Sequence, residues 1–93
     1  MSNGVSVERS AVGNAIKICN QAIQDFQKAS GDLQKKYQTA GSNWKDSKYA
    51  QLGGIVSDCN QALTKPISQL EECIRSLQEL DKAIAAYEST SVK

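Results

Sequence analysis

The sequence predicts an all-α protein, an antiparallel two-helix hairpin, and three observations carry that prediction. A single proline and few β-branched clusters stand in 93 residues rich in Ala, Gln, Leu, Lys, Glu and Ser, a composition that favours helix. Apolar residues recur every seven positions in two separate stretches, the spacing of helices that pack lengthwise rather than the period of two that marks a strand. One cluster of turn formers, Ala40-Gly41-Ser42-Asn43-Trp44-Lys45-Asp46-Ser47, separates the stretches and interrupts both repeats.

The first helix is expected over about residues 6 to 40. Val5, Val12, Cys19, Phe26, Leu33 and Ala40 form one row, and Ile16, Ile23 and Tyr37 a second that only Arg9 and Ser30 interrupt. Gly41 suits the left-handed residue just past a helix end, and Lys35 and Lys36 precede it where cations favour the negative helix terminus. The turn is placed at residues 41 to 45. Asp46 or Asn43 can cap the second helix by accepting from its free amides, and so short a connection makes the two helices antiparallel neighbours.

The second helix is expected over about residues 46 to 88. Tyr49, Val56, Leu63, Leu70, Leu77 and Ile84 form one row, and Leu52, Cys59, Pro66, Cys73, Leu80 and Tyr87 are taken as the other. Pro66 removes one backbone hydrogen bond, so a kink near it is expected. Gly53-Gly54 would cost about 1 kcal/mol each relative to Ala in a helix interior. Either the helix starts late, at Ile55, or a bulky side chain such as Trp44 or Tyr37 approaches the backbone there. The second option fits better, because Tyr49 and Leu52 already follow the repeat. Residues 1 to 4 and about 89 to 93 are expected to fray. Acid and base pairs such as Asp32 with Lys36 and Glu71 with Arg75 decorate the outer faces and support the helices without forming a site.

One domain spanning 1–93 is expected, close to the size at which a single core is marginal. Further apolar residues flank the seams: Ala15, Ala22 and Ala29 in the first helix, and Ile55, Ala62, Ile67, Ile74 and Ala83 in the second. The combined stripe is wider than a two-helix coil uses. A partner is therefore expected on it, with Ala15, Ala22, Ala29, Ile55, Ala62, Ile67 and Ile74 as its interface. A four-helix bundle of two hairpins, as homodimer or heterodimer, satisfies that geometry.

Composition also narrows the function. The charges nearly balance, 11 basic against 10 acidic residues, and the basic ones are scattered, so nucleic acid and anionic membranes are not the expected partners. No apolar run is long enough for membrane insertion. The N-terminus has no secretory signal pattern, and no cleaved signal peptide is expected. Histidine is absent and the three cysteines, Cys19, Cys59 and Cys73, form no CxxC pair. No metal site, cofactor site or catalytic residue is expected, and the cysteines read as small buried hydrophobes. Antiparallel register would put Cys19 near residues 67 to 70, with Cys73 about one turn away.

Trp44 is the only tryptophan and stands in the turn rather than on either row. Its ring can plug the end of the hairpin or present a docking surface there. Two amphipathic helices joined by a Trp-bearing turn, in a chain of this length, resemble the WxG family of small proteins exported by type VII secretion systems of Gram-positive bacteria. The resemblance spans nearly the whole chain and centres on Ser42-Asn43-Trp44-Lys45-Asp46, where Asp46 replaces the motif glycine. The family's export signal, Tyr-x-x-x-Asp/Glu, is also altered: Tyr87 is followed by Ser91. The resemblance implies a non-enzymatic protein, cytoplasmic before export and then secreted or envelope-associated. It would act as an exported dimer or as the helical companion of a larger type VII toxin, whose helical N-terminal region would complete the signal for the secretion machinery. A cytosolic adaptor or scaffold hairpin, unrelated to secretion, is the alternative.

Overall fold

The structure, a computed structural model, describes the backbone of residues 2–91 and the side chains of residues 7–88. Two long helices make up the fold: α1 at Ser2–Ala40 and α2 at Ser47–Ser91. The chain is an all-α helical hairpin. Helix continues through residues 2–4 and 89–91, where fraying was expected; the side chain of Val5 and those of both tails lie outside the described residues.

The helices end for different physical reasons. At the end of α1 the hydrogen bonds tighten, with the Gly41 amide shared between the carbonyls of Tyr37 and Gln38 and the Ser42 amide donating to Thr39 at 3.2 Å. Gly41 does not take the left-handed conformation expected of it, since no described residue has positive φ. At the start of α2, one Asp46 carboxylate oxygen accepts from the amides of Lys48 at 2.9 Å and Tyr49 at 3.2 Å. That is an N-cap, in which a side chain satisfies amides that no preceding turn can reach. α2 then runs through both Gly53-Gly54 and Pro66 without ending.

Contacts group the chain into two units, residues 23–68, which hold the turn, and residues 1–22 with 69–93. In the turn unit Ser30 donates to Asn60 Oδ1 at 2.9 Å, and Val56 is buried at 6 % exposure. In the other unit Arg9 grips Asp81 through two hydrogen bonds of 3.0 and 3.1 Å, with Glu88 3.9 Å away, and Val12 is buried at 8 %. These two valines are the only buried hydrophobic residues among those described. The rest of the seam, including Ile16, Cys19, Ile23, Phe26, Leu33, Leu63, Leu70, Leu77 and Ile84, is half-buried. One helix pair covers a seam from two sides only, and the half-exposed seam is the result.

The second row of α2 differs from the expected one. Gly53, Asn60, Ile67, Ile74, Asp81 and Glu88 are half-buried, whereas Cys59, Cys73, Leu80 and Tyr87 of the expected row are exposed. The polar residues explain the choice. Arg9 and Ser30 interrupt the α1 row, Asp81 and Asn60 occupy the α2 row at the matching interval, and each pair bonds. Leu, Cys or Tyr at those positions would forgo both bonds, leaving the half-buried Ser30 hydroxyl without its partner and the exposed Arg9 to water.

Candidate functional site

The turn is the most elaborated local structure. Tyr37 and Tyr49 stack with ring centroids 4.4 Å apart and planes 4° from parallel. Each hydroxyl donates to the other residue's backbone carbonyl, Tyr49 to Tyr37 at 2.8 Å and Tyr37 to Tyr49 at 3.4 Å. Desolvation, with the Tyr37 hydroxyl beside it, raises the Tyr49 phenol above its ordinary pKa. Two glycines make room for this exchange. A Cβ at Gly41 would collide with the Tyr49 hydroxyl, and a Cβ at Gly53 with the Tyr37 hydroxyl. Gly53 is therefore the close approach expected for Tyr37, inside a continuous helix. Gly54 has nothing near its missing Cβ.

Trp44 packs at a tilt on Tyr49, with centroids 5.8 Å apart and planes at 56°, and its indole N–H donates to Asp46 Oδ1 at 2.7 Å. The oxygen that caps α2 thus also holds the indole. The indole keeps 39 % of its surface exposed.

A second set of candidates is the large apolar residues that stay exposed on the helices. Of the residues expected at a partner interface, Ala29, Ile55 and Ala62 are exposed, Ala15 and Ala22 half-buried. Ile67 and Ile74 instead belong to the half-buried row of α2. Sequence reasoning passed over Ile18, Leu80 and Tyr87 as surface residues, and these are exposed at 70 %, 49 % and 68 %. Ile55, at 54 %, joins them. Single exposed apolar residues are ordinary, and what sets this chain apart is how few apolar residues are buried beside them.

The cysteines need correction. Cys59 and Cys73 are exposed and Cys19 is half-buried, and all three are free thiols. Cys19 and Cys73 line one shallow groove with Glu72, Ser76 and Leu77. Two of the three thiols sit on the row that α1 leaves uncovered, which is why they escape the burial expected of them.

Elsewhere the ionic contacts are local. Lys28 donates to Asp32 at 2.9 Å, a pairing of Asp32 with the preceding turn instead of Lys36. The hydrogen bond and the opposite charges lower the Asp32 pKa and raise that of Lys28. Among the described residues no group of three His, Cys, Asp or Glu side chains is placed to hold a metal ion, and no helix is long and apolar enough to cross a membrane.

No protein-family model, curated protein or solved structure matches this chain.

Proposed function

We propose that this chain is a non-enzymatic association module that docks a second helical element on the uncovered apolar side of the hairpin. The observation that carries this reading is the contrast between two buried valines, the only buried hydrophobic residues among those described, and the exposed large apolar residues Val7, Ile18, Ile55, Leu80 and Tyr87. Covering one such isoleucine or leucine contributes about 1.5 to 3 kcal/mol. A partner hairpin would finish what α1 and α2 begin, giving a four-helix bundle.

Within that reading we place the chain with the WxG-like proteins of type VII secretion, either as an exported dimer or as the companion of a larger toxin. Trp44 in the interhelical turn supports this, with 39 % of its surface available to a docking protein. Because Ser91 stands where the export signal would need an acid, the companion role supplies that acid from the partner. Trp44→Ala tests the assignment in the source organism, with cytoplasm and medium assayed separately. Loss of export of the protein or its bound partner, at unchanged helix content, supports it; unchanged export refutes it.

A second reading has its own observation. The Trp44–Asp46 bond and the contact with Tyr49 give the indole a structural task at the turn, and a cytosolic adaptor hairpin would need no more. Retention in the cytoplasm with a helical partner bound would favour the adaptor.

A further inference from the structure

Two of the three thiols share one place in the fold. Cys19 of α1 and Cys73 of α2 both belong to the chain-end unit, residues 1–22 with 69–93, and they line a single shallow groove with Gln69, Glu72, Ser76 and Leu77. Residue spacing alone predicts Cys73 about one turn from the position opposite Cys19. The Arg9–Asp81 bond sets a closer register for this unit. Moving ten residues on from Arg9 and ten back from Asp81 levels Cys19 with Glu71, and Cys73 stands two residues from that level, about 3 Å along the axis. Helices packed with axes about 8–10 Å apart bring facing Cα atoms into the range of roughly 4.4–6.8 Å that a disulfide spans.

From this shared groove we infer that Cys19 and Cys73 are a redox pair: a small-molecule disulfide of the glutathione class oxidises them to a covalent staple between α1 and α2 within the chain-end unit. The two thiols suit successive steps. Cys73 is exposed and meets the reagent first, whereas Cys19 is half-buried in the seam. The Cys73 thiolate attacks one sulfur of the reagent, breaking its S–S bond, forming a mixed disulfide and releasing one thiolate. The Cys19 thiolate then attacks the Cys73 sulfur, forming the Cys19–Cys73 bond and releasing the second thiolate. Two electrons pass from the cysteines to the reagent, and the two protons that the cysteines lose end on the released thiols. A reducing compartment keeps the pair open, and an oxidising one closes it. The staple falls in the unit whose Arg9–Asp81 link is exposed. It joins residues 54 apart in sequence, a separation at which tying the unfolded chain removes much of its entropy.

This inference stands apart from the association reading and needs no partner for its test. The full chain carrying Cys59→Ser is brought to equilibrium in glutathione buffers with and without urea, quenched by alkylation and read by mass spectrometry. The native chain is expected to yield a monomer two hydrogens lighter, with peptide mapping showing Cys19 joined to Cys73. Its closing constant should exceed that of the urea-unfolded chain at least about 30-fold. Denaturant titration should show the same factor as a gain in the folded-to-unfolded ratio on oxidation, reversed by a phosphine reductant. Cys19→Ser in the same background is expected to stop at a mixed disulfide on Cys73. Glutathione adducts without the internal link, links between copies as the main product, or a closing constant no larger than that of the unfolded chain would each overturn the inference.

Discussion

The turn unit and the unit that holds the chain ends are fastened by different forces. Around the turn, stacked tyrosines exchange hydroxyl-to-carbonyl bonds, residues twelve apart in sequence, and one carboxylate holds both the helix amides and the indole. In the other unit Arg9 links across the helices to Asp81, 72 residues apart and exposed. Closing a short loop costs less chain entropy than closing a long one, and neutral bonds within a stacked pair are indifferent to salt. The comparison teaches that the turn unit is anchored by aromatic stacking and neutral hydrogen bonds, whereas among the described residues of the chain-end unit an exposed charge pair joins a thin apolar seam.

The largest effect should come from filling the space beneath the tyrosine hydroxyls. Gly41→Ala or Gly53→Ala forces a tyrosine out of its stack and off its carbonyl, lowering the unfolding free energy by about 1 to 2 kcal/mol. Gly54→Ala meets nothing and should raise it by up to about 1 kcal/mol, since alanine favours helix. Denaturant titration at one fixed protein concentration reads both signs; equal effects at Gly53 and Gly54 would contradict the packing described.

Asp46→Ala comes next. It frees the Lys48 amide, leaves the Tyr49 amide only its 3.1 Å bond to the Asp46 carbonyl, and releases the indole, a loss of about 1 kcal/mol by the usual worth of an N-cap. Amide exchange should quicken most at Lys48, which loses its acceptor, and less at Tyr49.

The smallest effect is expected at Arg9. Its hydrogen bond and charge hold the Asp81 carboxyl below the ordinary carboxylate pKa, while Asp81 raises the Arg9 pKa. A lowered acid stabilises the fold above the unfolded carboxylate value of about 3.9, and the contribution is lost as pH falls through the folded value. Acid below about pH 4, or molar salt, should therefore lower amide protection factors near residues 9–16 before it does so near residues 37–53. Arg9→Ala should remove that difference in pH response. Protection that falls together in both regions would erase the contrast.

Much of the hairpin was legible because its signals are local. A seven-residue row is visible in the residues themselves, and the turn formers from Ala40 to Ser47 are contiguous. Which row of α2 turns inward was not legible from hydrophobicity, because Leu52, Cys59, Cys73, Leu80 and Tyr87 are more apolar than Gly53, Asn60, Asp81 and Glu88. The decisive signal was polar: Arg9 and Ser30 lie at the same interval as Asn60 and Asp81, so each interruption finds its complement across the seam. That spacing was present in the sequence, but reading it requires treating interruptions as pairing partners rather than as defects. The same misassignment hid the exposure of Cys59 and Cys73. At the turn, Gly53 and Asp46 were readable from bulk and capping chemistry. The tyrosine exchange, which depends on two residues meeting across the reversal, was not.

The indole's position has a practical result. The chain carries one tryptophan, bonded to the capping carboxylate and resting on Tyr49, so its fluorescence reports the reversal alone, while circular dichroism reports both rods along their full length. Two optical signals therefore divide the molecule as its fastenings do, and a gap between their melting curves would measure how independently the chain-end unit comes apart.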